Sequence, residues 1–168
     1  MLINIIGNIA SGKTALGMAL KKEFQAKRID IDDIRRKFNR GMTITGENTS
    51  YEKLMDDVLK HQGKGHVIME SSGTSQYYPL ILTKWSGPIF TIKLTCPLNK
   101  AKKRHEARMR QGYDLPPLPA EWNTSIDRAF YAIDANLHQA DCDLMIDTGK
   151  HSAKEVVDIV RKLLSSVL

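Results

Sequence analysis

Cysteine is scarce in this 168-residue chain. Only Cys96 and Cys142 occur, isolated and without C-x-x-C or metal-ligand spacing, so neither a disulfide framework nor a zinc site is expected to organise the fold. No apolar run approaches the roughly 20 residues that span a bilayer, which points to a cytoplasmic protein with free thiols and no membrane partner. The apolar run at residues 2–6 has no basic segment before it and leads straight into a glycine-rich loop, so it reads as a strand and not as a signal peptide. Internal repeats, low-complexity tracts and linkers are also missing. With 42% hydrophobic and 26% charged residues, the chain is expected to form a single domain over residues 1–168. There is no N-K-x-D motif of the kind GTPases use to read a base, and Glu70 and Asp147 are the only acids ending an apolar strand as a Walker-B residue does.

What is present is more specific. Gly7-Asn8-Ile9-Ala10-Ser11-Gly12-Lys13-Thr14 fits G-x-x-x-x-G-K-[ST], the phosphate-binding P-loop. The β-branched run Leu2–Ile6 before it suits a buried strand. After it, Leu16, Ala19, Leu20 and Phe24 repeat at helical spacing. Glycines at both ends of the loop let successive N–H groups converge at the start of the helix, where a polyphosphate binds. Lys13 would reach the β- and γ-phosphates, and the Thr14 hydroxyl would hold Mg²⁺. A nucleoside triphosphate is the expected ligand, with ATP and Mg²⁺ as cofactors.

Further along, residues 27–32 read as a second strand, with a helix from Asp33. Residues 41–50 form a polar loop, and a helix follows with Tyr51, Leu54 and Val58 inward. Residues 66–70 make a third strand. A short helix over 77–85 carries Leu80, Ile81 and Leu82 inward, and residues 89–94 make a fourth strand. A helix starts at Pro97 and ends near Gln111. Another spans 121–140 with Ile126, Phe130, Ile133 and Leu137 on one face, residues 143–147 form a fifth strand, and Ser152–Glu155 is a capping box for the last helix. Apolar strands alternating with helices predict an α/β three-layer sandwich: a five-stranded parallel sheet with helices on both faces.

In such sheets ligands sit at the carboxyl ends of strands. Asp30, Asp32 and Asp33 follow the second strand, and Glu70, Ser71 and Ser72 end the third. Asp32 is the candidate base for an acceptor hydroxyl, Asp33 the candidate helix cap, and Asp30 shares metal or acceptor contacts or turns away. Arg35, one turn after Asp32, would hold an anionic acceptor. Glu70 could order Mg²⁺ through water, while Ser71, Ser72 and Thr74 offer hydrogen bonds to the acceptor or act as caps. Arg36, Lys37 and Arg40 are surface residues that would widen a basic rim. Arg104 and Arg108, four apart on one helix face, would close over the phosphates as part of a helical lid at about 104–120. The net charge of +6 permits a polyanionic partner such as nucleic acid without requiring one.

The P-loop, the run Asp32-Asp33-Ile34-Arg35, and Arg104 and Arg108 before a glycine-containing loop together resemble the small P-loop kinases of the nucleotide-kinase-like class. The kinase domain of bacteriophage polynucleotide 5′-kinases is the nearest member by these motifs, showing Asp-Asp-aromatic-Arg where this chain has Asp32–Arg35. The resemblance implies a P-loop kinase fold, with Asp32 as general base, Arg35 on the acceptor phosphate and Arg108 on ATP with Arg104 in support. It implies transfer to a polynucleotide 5′-hydroxyl or a nucleotide-like acceptor. The chain departs from the family at Glu70-Ser71-Ser72-Gly73, where an Asp-containing loop is usual. Shikimate, gluconate and nucleoside monophosphate kinases share the frame, and Asp30-x-Asp32 suits the Asp-x-Asp of shikimate kinases, although their Arg- and Gly-Gly-rich acceptor loop is missing. A small-metabolite kinase is therefore the alternative, and a nucleotide-dependent switch without transfer chemistry is a third reading.

Overall fold

The computed structural model describes residues 1–39, 42–122 and 125–167. Five strands form one parallel sheet in the order β2-β3-β1-β4-β5. They are β1 (Leu2–Gly7), β2 (Lys27–Asp30), β3 (Val67–Ser71), β4 (Ile89–Thr95) and β5 (Leu144–Asp147). The seven helices are α1 (Lys13–Glu23), α2 (Ile31–Phe38), α3 (Ile44–Lys60), α4 (Tyr78–Lys84), α5 (Leu98–Arg110), α6 (Ile126–Leu137) and α7 (Ala153–Val167). Alternation along β1 divides the core. Leu2 and Ile6 pack with Tyr51, Leu54 and Val58 of α3 and Ile81 of α4, while Ile3 and Ile5 pack with Leu16 and Leu20 of α1 and Val156, Val160 and Leu164 of α7. This is the α/β three-layer arrangement, with a five-stranded parallel sheet, that the sequence predicts. No helix among the described residues is long and apolar enough to cross a membrane.

Several boundaries differ from expectation, each for a local reason. Strand β2 stops at Asp30, whose Oδ1 accepts from the Asp32 N–H at 2.9 Å. Asp30 is thus the N-cap of α2, the role expected of Asp33, and Asp32 moves into the first helical turn. Helix α3 begins at Ile44, inside the segment expected to be loop. The Thr43 hydroxyl caps it by accepting from Gly46 N–H, and Ser50 donates back to the Gly46 carbonyl at 2.7 Å. The helix expected over 121–140 is a 3₁₀ turn (Ala120–Trp122) followed by α6, which the Ser125 hydroxyl caps. On α4, Leu80 is exposed, and Tyr78 takes the inward position beside Ile81. At α7 the capping box forms in both directions between Ser152 and Glu155.

Candidate active site

The loop after β1 turns sharply against the sheet. A Cβ on Gly7 would come within 2.5 Å of the Leu94 carbonyl oxygen on β4, so only glycine lets the chain leave the strand here. Helix α1 then opens on Gly12 with no side-chain cap and no acid in its first turn. Its first N–H groups have no intrahelical partner, and no acid of its own first turn offsets the positive end of the helix. This is a cradle suited to phosphate. The Lys13 ammonium folds back to donate to the carbonyls of Gly7 and Asn8, both at 2.9 Å. Burial pushes its pKa down, Asp32, Asp30 and Glu70 pull it up, and Arg108 presses it down again. Thr14 lies exposed at the mouth. The other side chains hold the loop in place. Asn8 Oδ1 accepts from Ile9 N–H at 2.7 Å, and its Nδ2 donates to the Phe130 carbonyl of α6 at 3.0 Å. Ala10 packs on Phe130, and the buried Ser11 hydroxyl has no hydrogen-bond partner among the described residues.

At the ends of β2 and β3, Asp30 and Glu70 are register partners. Both point toward α1, and Arg28 lies between them. Its Nη2 is 2.5 Å from Asp30 Oδ2 and 3.1 Å from Glu70 Oε2, and its Nε donates to Glu70 Oε1. Helix α1 crosses this cluster at Gly17, where a Cβ would meet the Glu70 carboxylate at 1.8 Å. Both oxygens of Glu70 are thus engaged by Arg28, and that pairing competes with the metal role considered for Glu70 from sequence. Burial is the leading influence on Asp30 and Glu70 and pushes both carboxyls up. Asp32 is the more open carboxylate, with about a third of its side chain accessible.

Arg35 does face Asp32, as the helical spacing predicted, with Nη1–Oδ1 at 2.8 Å. It is also gripped by Glu47 of α3. Nε lies 3.0 and 3.2 Å from the two Glu47 oxygens, and Nη2 lies 2.5 Å from Oε1. These carboxylates hold the guanidinium pKa above its usual value despite burial. Glu47 was missed because its turn was read as loop. Extending the inward stripe Tyr51–Leu54–Val58 back by four residues would have found it. Tyr51 lies under Arg35, 5.7 Å from ring centroid to guanidinium carbon, and stacks on Tyr77 at 5.9 Å. Ser71 accepts from Gly73 N–H, and the Ser72 and Thr74 hydroxyls are 2.9 Å apart.

The two lid arginines separate. Arg104 does not lie over the cradle. It donates to the Ala10 carbonyl at 3.2 Å, to the Thr148 hydroxyl at 3.0 Å and to the Thr148 carbonyl at 2.7 Å, bracing the P-loop against the loop after β5. Arg108 faces a cleft of about 400 Å³ bounded by Thr14, Ala15, Met18, Gln111 and Tyr113. Tyr113 sits between Arg108 and Arg36, at 5.7 and 5.8 Å. The following segment is tied to the connection between α2 and α3 by Asn39 Nδ2 to the Pro117 carbonyl and by Ala120 N–H to the Met42 carbonyl. Lys37 is exposed, whereas Arg40 lies outside the described residues.

No family model and no curated protein matches this chain. Solved structures do. A putative kinase from Chloroflexus aurantiacus shares 19% identity, with 98% of this chain and 96% of that chain covered and a TM-score of 0.67. A shikimate kinase from Acinetobacter baumannii in complex with shikimate shares 15% over 98% and 93%, with a TM-score of 0.70. An APS kinase from Mycobacterium tuberculosis in complex with AMPPNP and APS shares 18% over 98% and 96%, with a TM-score of 0.67. The chain has the P-loop kinase fold of these proteins. They do not support the expectation that polynucleotide 5′-kinase is the nearest relative.

Proposed function

We propose that the chain is a kinase that moves the γ-phosphate of ATP to a hydroxyl of a small molecule, with residues 1–168 acting as one catalytic unit and 104–120 as its lid. The observation that carries this reading is the uncapped start of α1 with Lys13 after β1, and Asp32 in the first turn of α2 after β2, both at the carboxyl end of one parallel sheet. Ligands of such sheets bind at that end, so an acceptor beside Asp32 and phosphates at Lys13 share one cleft. Phosphoryl transfer needs little more than such positioning, charge neutralisation and a base. In this reading the α1 amides and Lys13 bind the phosphates, Arg108 neutralises charge from the lid side, and Asp32 takes the acceptor proton. Asp30 and Arg35 fix Asp32 from below and beside.

Mg²⁺ would be held by the Thr14 hydroxyl together with the phosphates and water. Mg²⁺ keeps several waters and is bound through few protein groups plus substrate phosphates. The ion would neutralise charge on the phosphates. The small-molecule acceptor is favoured over a polynucleotide because the arginines lining this side are already paired: Arg28 with Asp30 and Glu70, Arg35 with Asp32 and Glu47, Arg36 with Asp33. A nucleic acid backbone would have to compete with these carboxylates for the three guanidinium groups. The deciding experiment is γ-³²P transfer from Mg·ATP to a panel of small hydroxyl compounds beside 5′-hydroxyl oligonucleotides. Label confined to a small molecule is expected. Label on the oligonucleotide would restore the polynucleotide reading, and failure to bind ATP would end both.

A second expectation concerns Arg104. Its removal takes the guanidinium from both the Ala10 carbonyl and Thr148, leaving the Thr148 hydroxyl bonds to the Ser11 and Thr95 carbonyls as the link between the two loops, while the chemistry beside Asp32 is untouched. Arg104→Leu is expected to weaken ATP binding about tenfold, the loss of one or two charge-assisted hydrogen bonds, with kcat at saturating ATP little changed. Titration with a fluorescent ATP analogue measures the first and steady-state kinetics the second. An unchanged Kd would mean that the brace does not shape the nucleotide site.

A further inference from the structure

The cleft divides its cations sharply between its two sides. Lys13 and Arg108, which have no carboxylate within ion-pair distance among the described residues, stand at the P-loop and on α5, where the triphosphate binds. On the other side, between α2, α3 and the loop after β3, Arg35 is the most enclosed cation there among the described residues, with about 11% of its side chain accessible, and three of its contacts are already made. Nε and Nη2 serve Glu47, and Nη1 serves Asp32. Only about 4% of the Glu47 side chain is accessible, and its other polar neighbour is Asn39 Nδ2 at 3.4 Å. Drawing Arg35 away to meet an anion would strand that carboxylate without charge compensation, and a buried carboxylate that loses its partner is strongly unfavourable. Among the described residues, one guanidinium against two carboxylates leaves this subsite net negative before any acceptor arrives. Neutral groups face it as well: the paired Ser72 and Thr74 hydroxyls, and the half-buried Tyr77 ring stacked on Tyr51.

We infer that the acceptor is a hydroxyl compound with no negative charge near its reacting group — a sugar, polyol or amino alcohol — and that the Glu47–Arg35–Asp32 chain selects against sugar acids, other carboxylates and phosphate esters. Hydroxyls can donate to Asp32 and exchange bonds with Ser72 and Thr74, and the apolar face of a polyol ring can pack on Tyr77. An ammonium group gains from the negative balance, whereas a carboxylate or phosphate meets two carboxylates and a guanidinium already in use. In the transfer the acceptor oxygen forms the new O–P bond, and the bond from the γ-phosphorus to the β–γ bridging oxygen breaks. ADP leaves with that electron pair, and the acceptor proton passes to Asp32. This inference rests on the kinase reading above and adds the charge of the substrate.

Two measurements on the full chain test it, the first independent of any identified acceptor. The Arg35 Nε–H resonance of ¹⁵N-labelled protein is followed while inorganic phosphate is added to the Mg·AMP-PNP-saturated wild type. It is expected to stay unmoved, and a saturable shift would overturn the inference. In Glu47→Gln, with one carboxylate neutralised, phosphate is expected to shift it saturably. Should that variant fold poorly, the wild-type titration still decides. In the second measurement kcat/KM is compared for neutral, cationic and anionic hydroxyl compounds. Neutral or cationic acceptors are expected to exceed anionic ones by about tenfold or more, in keeping with the strength of hydrogen bonds to charged groups, and Glu47→Gln should narrow that gap. Preference for an anionic acceptor would overturn the charge assignment and leave the kinase intact. If AMP-PNP fails to perturb the Lys13 and Thr14 amides, the kinase reading falls and this inference falls with it.

Discussion

Asp32→Asn is expected to lower the rate of phosphoryl transfer by a factor of about 10²–10⁴, the range a positioned general base contributes, while ATP still binds. The substitution isolates the proton acceptor because nearly everything else about the side chain survives. Asparagine keeps an Oδ1 that can accept from Arg35 Nη1, now at 2.8 Å, and its backbone N–H still bonds to the capping Asp30. A negative charge is lost from the first turn of α2, which costs about 0.3–1 kcal/mol of helix stabilisation and is too small to unfold the chain. Removing that charge from the neighbourhood of Lys13 takes away the largest of the carboxylate influences that hold its ammonium charged, but it also lifts a repulsion felt by incoming phosphates. Nucleotide affinity is therefore expected to stay within a few-fold of wild type or to tighten. Steady-state kinetics with the acceptor found in the transfer screen, set beside a nucleotide-binding titration, reads both quantities. Transfer within tenfold of wild type would remove Asp32 from the chemistry and turn attention to Asp30. Loss of ATP binding would instead mean that Asp32 organises the nucleotide site.

The parts of this picture that were legible in the sequence are those encoded locally. The P-loop is contiguous, its strand and helix flank it directly, and apolar strands alternating with helices gave the parallel sheet and both covering layers. Asp32 and Arg35 lie on one turn, so their common face followed from helical spacing, whereas their ion pair did not. What escaped was encoded by partners far apart or by polar residues doing helical work. Gly46, Asn48, Thr49 and Ser50 resemble loop residues, yet the Thr43 cap and the inward Glu47 make their segment the first turns of α3. Without that turn Arg35 looked like a free cation waiting for an anion, and the polynucleotide reading drew on that appearance. Arg104 was placed over the phosphates because it shares a face with Arg108. Its contacts at Ala10 and Thr148 lie 94 and 44 residues away in the chain and have no trace in local spacing. Glu70 looked like a metal acid for the same reason, because only the β2–β3 register brings Arg28 beside it.

That register supports the prediction with the largest effect on stability. Arg28→Met is expected to destabilise the fold by about 3–5 kcal/mol, as when a buried ion pair loses one member, a large part of the roughly 5–15 kcal/mol that holds a typical domain together. About 1% of the Glu70 side chain and 10% of the Asp30 side chain is accessible, so neither can replace the guanidinium with water. Methionine fills much of the same volume, which makes uncompensated charge, not a cavity, the cause. The pH dependence separates these two causes. Burial already raises both carboxyls above their ordinary values of 4.5 and 3.8, and losing Arg28 removes an influence that lowers them, so they rise further. A carboxyl whose folded pKa exceeds its unfolded pKa gives stability that is complete below the unfolded value and lost as pH climbs through the folded one. The deficit of the variant relative to wild type should therefore be largest near neutrality and shrink as the pH is lowered toward 4.5. Neutralising the stranded acid in Arg28→Met/Glu70→Gln should recover part of the loss at neutral pH. Urea denaturation across that pH range measures each of these differences. A deficit independent of pH, or a double variant no better than the single one, would show that Arg28 matters for packing and not as the counter-charge that lets two acids lie buried behind the phosphate cradle.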